Sequence, residues 1–351
     1  MKDFIQRLQH PLAMAACIGL AAALVVNAPL AMQGARAALA LCGNVIIPAL
    51  YPFFVIAAIY VQLSRRGSTK RPVIGAILLG LLGGYPVGAS VAAQLHKQGQ
   101  FTREQAQRLQ LFCVNAGPGY LIGAVGVGML GNRVAGIILL VALTMGSLIM
   151  GLGVWLVGRG CAPAHPDISI KIQGTRRGAY PTIEPFSLLI PITQVTKSII
   201  MVCGWVVLFG ALTSLLHLLP FGWWGAIPYL QVLLEVSTGT AAMINAQASL
   251  PVLAAVLAWG GLGVHAQVWT DLKATGLPLW KFWLTRAAHS GLSAGLCAIL
   301  MRFIPVHMAV SVAAMGAPAP VRLWAVSAPA GIALLIFCAF VILELDLRRK
   351  M

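Results

Sequence analysis

The sequence predicts an all-α fold: a polytopic membrane protein, arranged as an inverted-repeat helical bundle with two re-entrant or broken-helix hairpins. Three observations predict it. Of 351 residues, 59% are hydrophobic and only 9% are charged, where soluble domains carry about 25% charged residues. Apolar runs long enough to cross a bilayer recur along the chain, and several are interrupted by glycine and proline. The order of whole and interrupted runs repeats on either side of a polar stretch at 159–185.

The first run, 11–32, follows Lys2 and Arg7 and ends near Ala35-Arg36-Ala37, which mimics a signal-peptide cleavage site. It exceeds the roughly 7–15 apolar residues of a signal peptide, so 1–33 reads as an uncleaved transmembrane helix. The run 34–63 contains Pro48 and Pro52 and is expected to kink. Arg65, Arg66, Lys70 and Arg71 follow. The run 73–95 breaks at Gly83-Gly84-Tyr85-Pro86 and resumes at Gly88-Ala89-Ser90. Such a break exposes backbone groups that lipid does not satisfy, so it survives only against protein or a water-filled cavity. Thr102, Glu104 and Gln105 mark a helix start, and 102–112 reads as an amphipathic helix at the membrane surface. The segment 112–130 breaks at Asn115-Ala116-Gly117-Pro118-Gly119, and 134–157 is an ordinary span.

After the linker the order recurs. Residues 186–217 form an apolar segment carrying Gln194, Thr196 and Lys197; 223–248 is interrupted around Ser237-Thr238-Gly239; and 250–272 is interrupted at Gly260–Gly263. Two spans follow, 280–303 and 321–345, and then the tail Arg348-Arg349-Lys350.

With the N-terminus inside and 73–95 a re-entrant hairpin, 19 of the 24 lysines and arginines fall on the inner side, as the positive-inside rule requires. The hairpin 223–248 then enters from outside. Residues 34–158 and 186–303 read as two repeats of opposite orientation, joined by a cytoplasmic basic linker at 159–185, with 304–351 a C-terminal transmembrane helix and basic tail. Both termini are expected in the cytoplasm and the membrane is the inner one. In such repeats the broken segments meet near the midplane and build a substrate site. Reading 73–95 and 223–248 as full spans instead flips the later segments and worsens the charge bias. The net charge of +16 belongs to the loops on this topology, so nucleic acid is not an expected partner.

Among eight acidic residues only Glu235 lies well inside an apolar segment. An ionisable group there is costly and is a functional candidate: it holds a coupling cation, relays a proton, or binds a hydroxyl or amine. The alternative is a structural ion pair with Lys197. Asn115 offers donor and acceptor together, and half-helix N-termini beside the breaks favour anionic groups. Ser237 and Thr238 flank the second hairpin's break. His265 and Gln267 follow the Gly260 break, with a buried, hydrogen-bonded histidine as the alternative for His265. His289 and Ser290 read as helix–helix hydrogen bonds, and Gly123, Gly126 and Gly128 as close packing. The seven cysteines form no CxxC pair and read as buried thiols, so no metal or redox site is expected. HExxH and GxxxxGK[ST] are lacking, and nothing brings Ser90 to His265 or His289 as a nucleophilic dyad. Neither an enzyme nor a cofactor is expected.

The stretches GGYPVGA beginning at Gly83, FCVNAGPGYLIGAVGVGML at 112–130 and GGLGVHAQV at 260–268, occurring in this order, resemble the YlbJ-type sporulation integral membrane proteins. That family falls in the nucleoside-recognition or Gate superfamily, which includes concentrative nucleoside transporters and the gate regions of ferrous-iron transporters. The resemblance covers roughly residues 40–300. It implies functional positions at Gly84, Tyr85, Pro86 and Gly88, then Asn115, Gly117 and Pro118, then Gly261, His265 and Gln267. Where members often carry paired asparagines this chain has Val114-Asn115. It also implies a role in spore cortex formation. The expected function is movement of a small polar or amphiphilic solute by alternating access. The expected partners are the lipid bilayer, that solute, and a coupling cation or proton; a homo-oligomer is left open. The alternative is a non-transporting scaffold for envelope or spore assembly.

Overall fold

The computed structural model describes residues 2–64, 72–158, 189–218 and 225–304, all within one compact unit, Met1–Val312. Every regular element among them is helical, as the sequence predicts. The basic linker at 159–185, the C-terminal helix at 321–345 and the tail lie outside the described residues.

Helix α1 (Lys2–Val26) ends at Asn27, earlier than the expected boundary near residue 33. The local chemistry explains this. Asn27 turns its Nδ2 back onto the Ala23 carbonyl at 2.9 Å, and Pro29 sits in the first turn of α2 (Ala28–Leu41), where its missing N–H costs nothing. The Ala35–Ala37 triplet therefore lies inside a helix. The expected kink appears as one wide π-type turn, Cys42–Ile46, before α3 (Ile47–Ser64). Pro48 cannot donate into that turn, and a π-bulge next to proline is an ordinary cause of helix bending.

The run 73–95 is a helical hairpin. Helix α4 (Pro72–Leu82) stops at Gly83-Gly84 and α5 (Tyr85–Lys97) packs back against it. Gly84 has φ +87°, a left-handed conformation that disfavours a side chain, and Pro86 occupies the first turn of α5.

Helix α6 (Arg103–Phe112) carries the predicted cap: Gln105 N–H donates to Thr102 Oγ1 and Thr102 N–H to Gln105 Oε1. It is not merely a surface helix. Gln110 is fully buried, donating to the carbonyls of Ala89 and Asp271 and accepting from Thr275 Oγ1 at 2.6 Å. The chain then crosses over at 113–118 into a π-type helix, Gly119–Met129, and α7 (Arg133–Gly158).

Helix α8 (Leu189–Ser214), extended by a 3-10 turn at Leu215–Leu218, lies along α2. Small residues, Ala38 and Gly210, line that contact, as expected where helices associate by close packing rather than by expulsion of water.

Helices α9 (Ile227–Leu234) and α10 (Val236–Asn245) form the second hairpin. Its break falls at Glu235, two residues before the expected Ser237–Gly239, which instead forms the first turn of α10. Gly239 serves a different purpose. A β-carbon there would stand 2.7 Å from Gln231 C and nearer still to Val232 N and Cα, so glycine lets the two arms close. Helices α11 (Leu250–Trp259) and α12 (Gly261–Thr275) meet at Gly260, also left-handed, and α13 (Leu279–Phe303) closes the described chain.

Four stretches among the described residues are long and apolar enough to cross a bilayer: Ala28–Ile56, Arg133–Leu156, Pro191–Leu218 and Leu250–Thr275. The protein is an all-α, polytopic membrane protein. The main core lies where α7, α11, α12 and α13 meet the π-type helix, filled by Leu139, Leu143, Leu253, Leu257 and Phe282.

Candidate functional site

All four helix breaks meet at one place. A small cavity is lined by Gly84, Tyr85 and Pro86 from the first hairpin and Glu235, Val236 and Ser237 from the second. Gly117 comes from the crossover, and Val264 and Gln267 follow the Gly260 break. Ile46, Leu50, Phe54, Val202 and Val206 form its apolar wall, with Tyr120 beside them. The two hairpin tips face a common space, as the sequence predicts.

The breaks also touch in pairs. A β-carbon at Gly117 would stand 3.0 Å from Gly84 N, and one at Gly261 would stand 3.1 Å from Val236 N and 3.4 Å from Glu235 N. Each hairpin tip thus rests on the break that follows it along the chain.

Glu235 is 3% exposed, and its carboxylate accepts from Ser237 N–H at 2.8 Å, Thr238 N–H at 2.6 Å and Thr238 Oγ1 at 2.8 Å. These are the free donors of the first turn of α10, where the helix dipole favours negative charge. The alternative reading, an ion pair with Lys197, is not formed. Lys197 is exposed on α8, and Glu235 takes its hydrogen bonds from α10 instead. The helix terminus takes the place of the lysine in that alternative. A carboxylate has about four acceptor positions, and α10 supplies the donors that face them, from the backbone and side chains of Ser237 and Thr238.

Aromatic hydroxyls tie the tips down. Tyr85 Oη donates to the Leu257 carbonyl at 2.5 Å, and Tyr120 Oη reaches the Val236 carbonyl at 3.5 Å. Leu257 lies in the last turn of α11, whose carbonyls have no partner within the helix.

Other expected residues stand behind the wall. Gly88 packs on the Cys113 carbonyl, and Ser90 accepts from Gln94 at 3.0 Å. Asn115 is fully buried; its Oδ1 accepts from Ala116 N–H at 2.9 Å, and its Nδ2 has no partner among the described residues. Pro118 leads into the π-type helix. His265 donates through Nε2 to the Trp259 carbonyl at 3.0 Å and lies between the Trp259 and Phe282 rings, so the buried-histidine alternative describes it. His289 and Ser290 make the expected helix–helix bonds, to Ser147 at 3.1 Å and to the Ala255 carbonyl at 2.7 Å. Ser90 pairs with neither histidine. Of the three clustered glycines, Gly126 makes the closest approach, packing on Gly136.

One residue escaped the sequence reading. Arg286, counted there only among the 19 inner-side lysines and arginines, is 1% exposed. Its guanidinium donates to the carbonyls of Val114 and Leu111 and lies over the Phe282 ring. Its spacing from His289 along α13 was the only sequence signal.

No family model matches the chain, and no solved structure matches it. It is similar to the sporulation integral membrane protein YlbJ of Bacillus subtilis (strain 168), at 24% identity over 311 residues, 75% of this chain and 76% of that protein. That similarity bears out the YlbJ-type resemblance read from the broken motifs.

Proposed function

We propose that this YlbJ-type membrane protein moves a small polar or amphiphilic solute across the inner membrane by alternating access, and that in a spore-forming cell it serves spore cortex formation. The observation that carries the reading is the convergence of four helix breaks on one cavity with Glu235 in its wall. Broken helices that meet at a common site, each exposing backbone toward it, are the architecture by which transporters hold substrate and coupling ion. The pairwise contacts, Gly84 with Gly117 and Gly261 with Glu235, support treating 34–158 and 186–303 as two repeats, with inverted orientation argued from the loop charges. Glu235, buried in the cavity wall, is the residue for a coupling cation, a proton or a solute donor. Gln267 supplies an amide on the same wall. The Gate-type, nucleoside-recognition grouping is part of the proposal and rests on the three motifs.

The test pairs Glu235→Gln with Asn115→Ala in cells that depend on this chain for cortex formation. Loss of the phenotype with normal membrane levels of both variants supports the site; full function in both removes it. Cysteine accessibility separates transport from scaffolding. Exposure that alternates between 85–90 and 237–240 supports transport, and exposure that never alternates supports a scaffold.

A further inference from the structure

Arg286 is the strongest charge–backbone contact the cavity does not explain. It is buried in α13, and no carboxylate reaches it among the described residues. A guanidinium placed there is costly unless its donors are satisfied. Two of its nitrogens are met by backbone: Nη2 donates to the Leu111 carbonyl at 2.9 Å and Nη1 to the Val114 carbonyl, with the Phe282 ring 5.5 Å from Cζ, while Nε has no partner among the described residues. Leu111 lies in the last turn of α6, where the helix dipole favours a cation, and Val114 lies in the crossover itself. His289 Nδ1 stands 3.5 Å from Nη1, and its Nε2 is anchored on α7 by Ser147 and the Leu143 carbonyl.

The crossover has a second face. A β-carbon at Gly88 would meet the Cys113 carbonyl, 2.8 Å from its carbon, and Gly117 abuts Gly84 N. The first hairpin therefore rests on residues 113–117, and those residues hang on Arg286 from behind. We propose that Arg286 is a positioning residue: it does not line the cavity, yet it fixes the crossover that carries the wall formed by Gly84, Tyr85 and Pro86. The planar fork matters. Two carbonyls at a fixed separation suit guanidinium and not the single ammonium of lysine. The proposal deepens the cavity reading and relies on it for the importance of that wall.

The experiment retains one native cysteine at a time in the full-length chain, either Cys113 or Cys297, both fully buried, and measures maleimide labelling in detergent. Arg286→Lys is expected to speed labelling of Cys113 by about tenfold with Cys297 unchanged. In the same background Pro86→Cys should change its rate while Ser237→Cys does not. Labelling of Cys113 that stays slow overturns the proposal, as does a parallel rise at Cys297, which marks general loosening. Should Arg286→Lys not fold, His289→Ala leaves the guanidinium in place without its support. It is expected to raise Cys113 labelling about threefold, and no change counts against the role. A silent Glu235→Gln alongside this local pattern would remove the transport reading and leave the positioning role standing.

Discussion

Gly239→Ala tests the second hairpin directly. The added β-carbon would lie 2.7 Å from Gln231 C and closer to Val232 N and Cα. These are backbone atoms, so no rotamer change relieves the overlap. Ordinary contact between heavy atoms is about 3.5–4.0 Å, so α10 must back away by about 1 Å. Overpacking of this kind costs about 1–3 kcal/mol. The same displacement strains the bonds from Ser237 and Thr238 N–H to the Glu235 carboxylate, 2.8 and 2.6 Å long, and bonds to charged groups contribute about 1.5–3 kcal/mol each. A net loss of about 2–4 kcal/mol is expected, read as a fall in Tm of about 3–5 °C for purified protein in detergent. Gly153→Ala is the control: it is exposed on α7 with no neighbour within 4 Å of the new carbon, and alanine is favoured over glycine there by up to about 1 kcal/mol. If Gly239→Ala melts as high as Gly153→Ala, the two arms do not close as described and the second tip is not held by them.

Tyr85→Phe removes the 2.5 Å bond to the Leu257 carbonyl and leaves a buried acceptor unpaired, for a loss of about 1–3 kcal/mol; an unchanged melting curve would count against that bond. Glu235→Asp keeps an acceptor suited to capping α10 and should melt above Glu235→Ala by at least about 1 kcal/mol, measured by thermal unfolding. Gln110→Leu strips hydrogen bonds from the Ala89 and Asp271 carbonyls and from Thr275 Oγ1 together, and should cost about 2–4 kcal/mol. Arg103→Ala, at a more exposed end of the same contact with the Thr275 carbonyl, should cost about 1 kcal/mol or less, so the reverse order would refute the importance of the buried pair.

The breaks were legible in the sequence because their cause is local. Gly84 is left-handed and Pro86 lacks an N–H whatever packs around them, so punctuation could be read residue by residue. The hairpin at 223–248 was legible but its break was misplaced. Glycine marked Gly239 as the interruption, whereas the chain turns at a glutamate that caps its own next turn and Gly239 answers a packing need. Lys197 was chosen as a partner for Glu235 on charge alone, and a helix N-terminus does not appear in a count of charges. Arg286 was illegible for a stronger reason. Its partners lie 172 and 175 residues away in the chain, and a basic residue near a helix end looks the same from sequence whether it faces water or a carbonyl.

The distance in sequence between Arg286 and its carbonyls has a consequence for biogenesis. Synthesis runs from the N-terminus, so Leu111 and Val114 enter the membrane long before α13 exists. The Leu257 carbonyl shows the reverse order, since Tyr85 waits 172 residues for it. Until the late helices arrive, the end of α6 and the crossover hold carbonyls that lipid does not satisfy, at several kcal/mol for each group. The early part of the chain is therefore not a finished unit that later helices merely join. It needs shelter from lipid during insertion, and a ribosome that stops after residue 158 leaves a product lacking its own closing contacts, a natural target for membrane quality control.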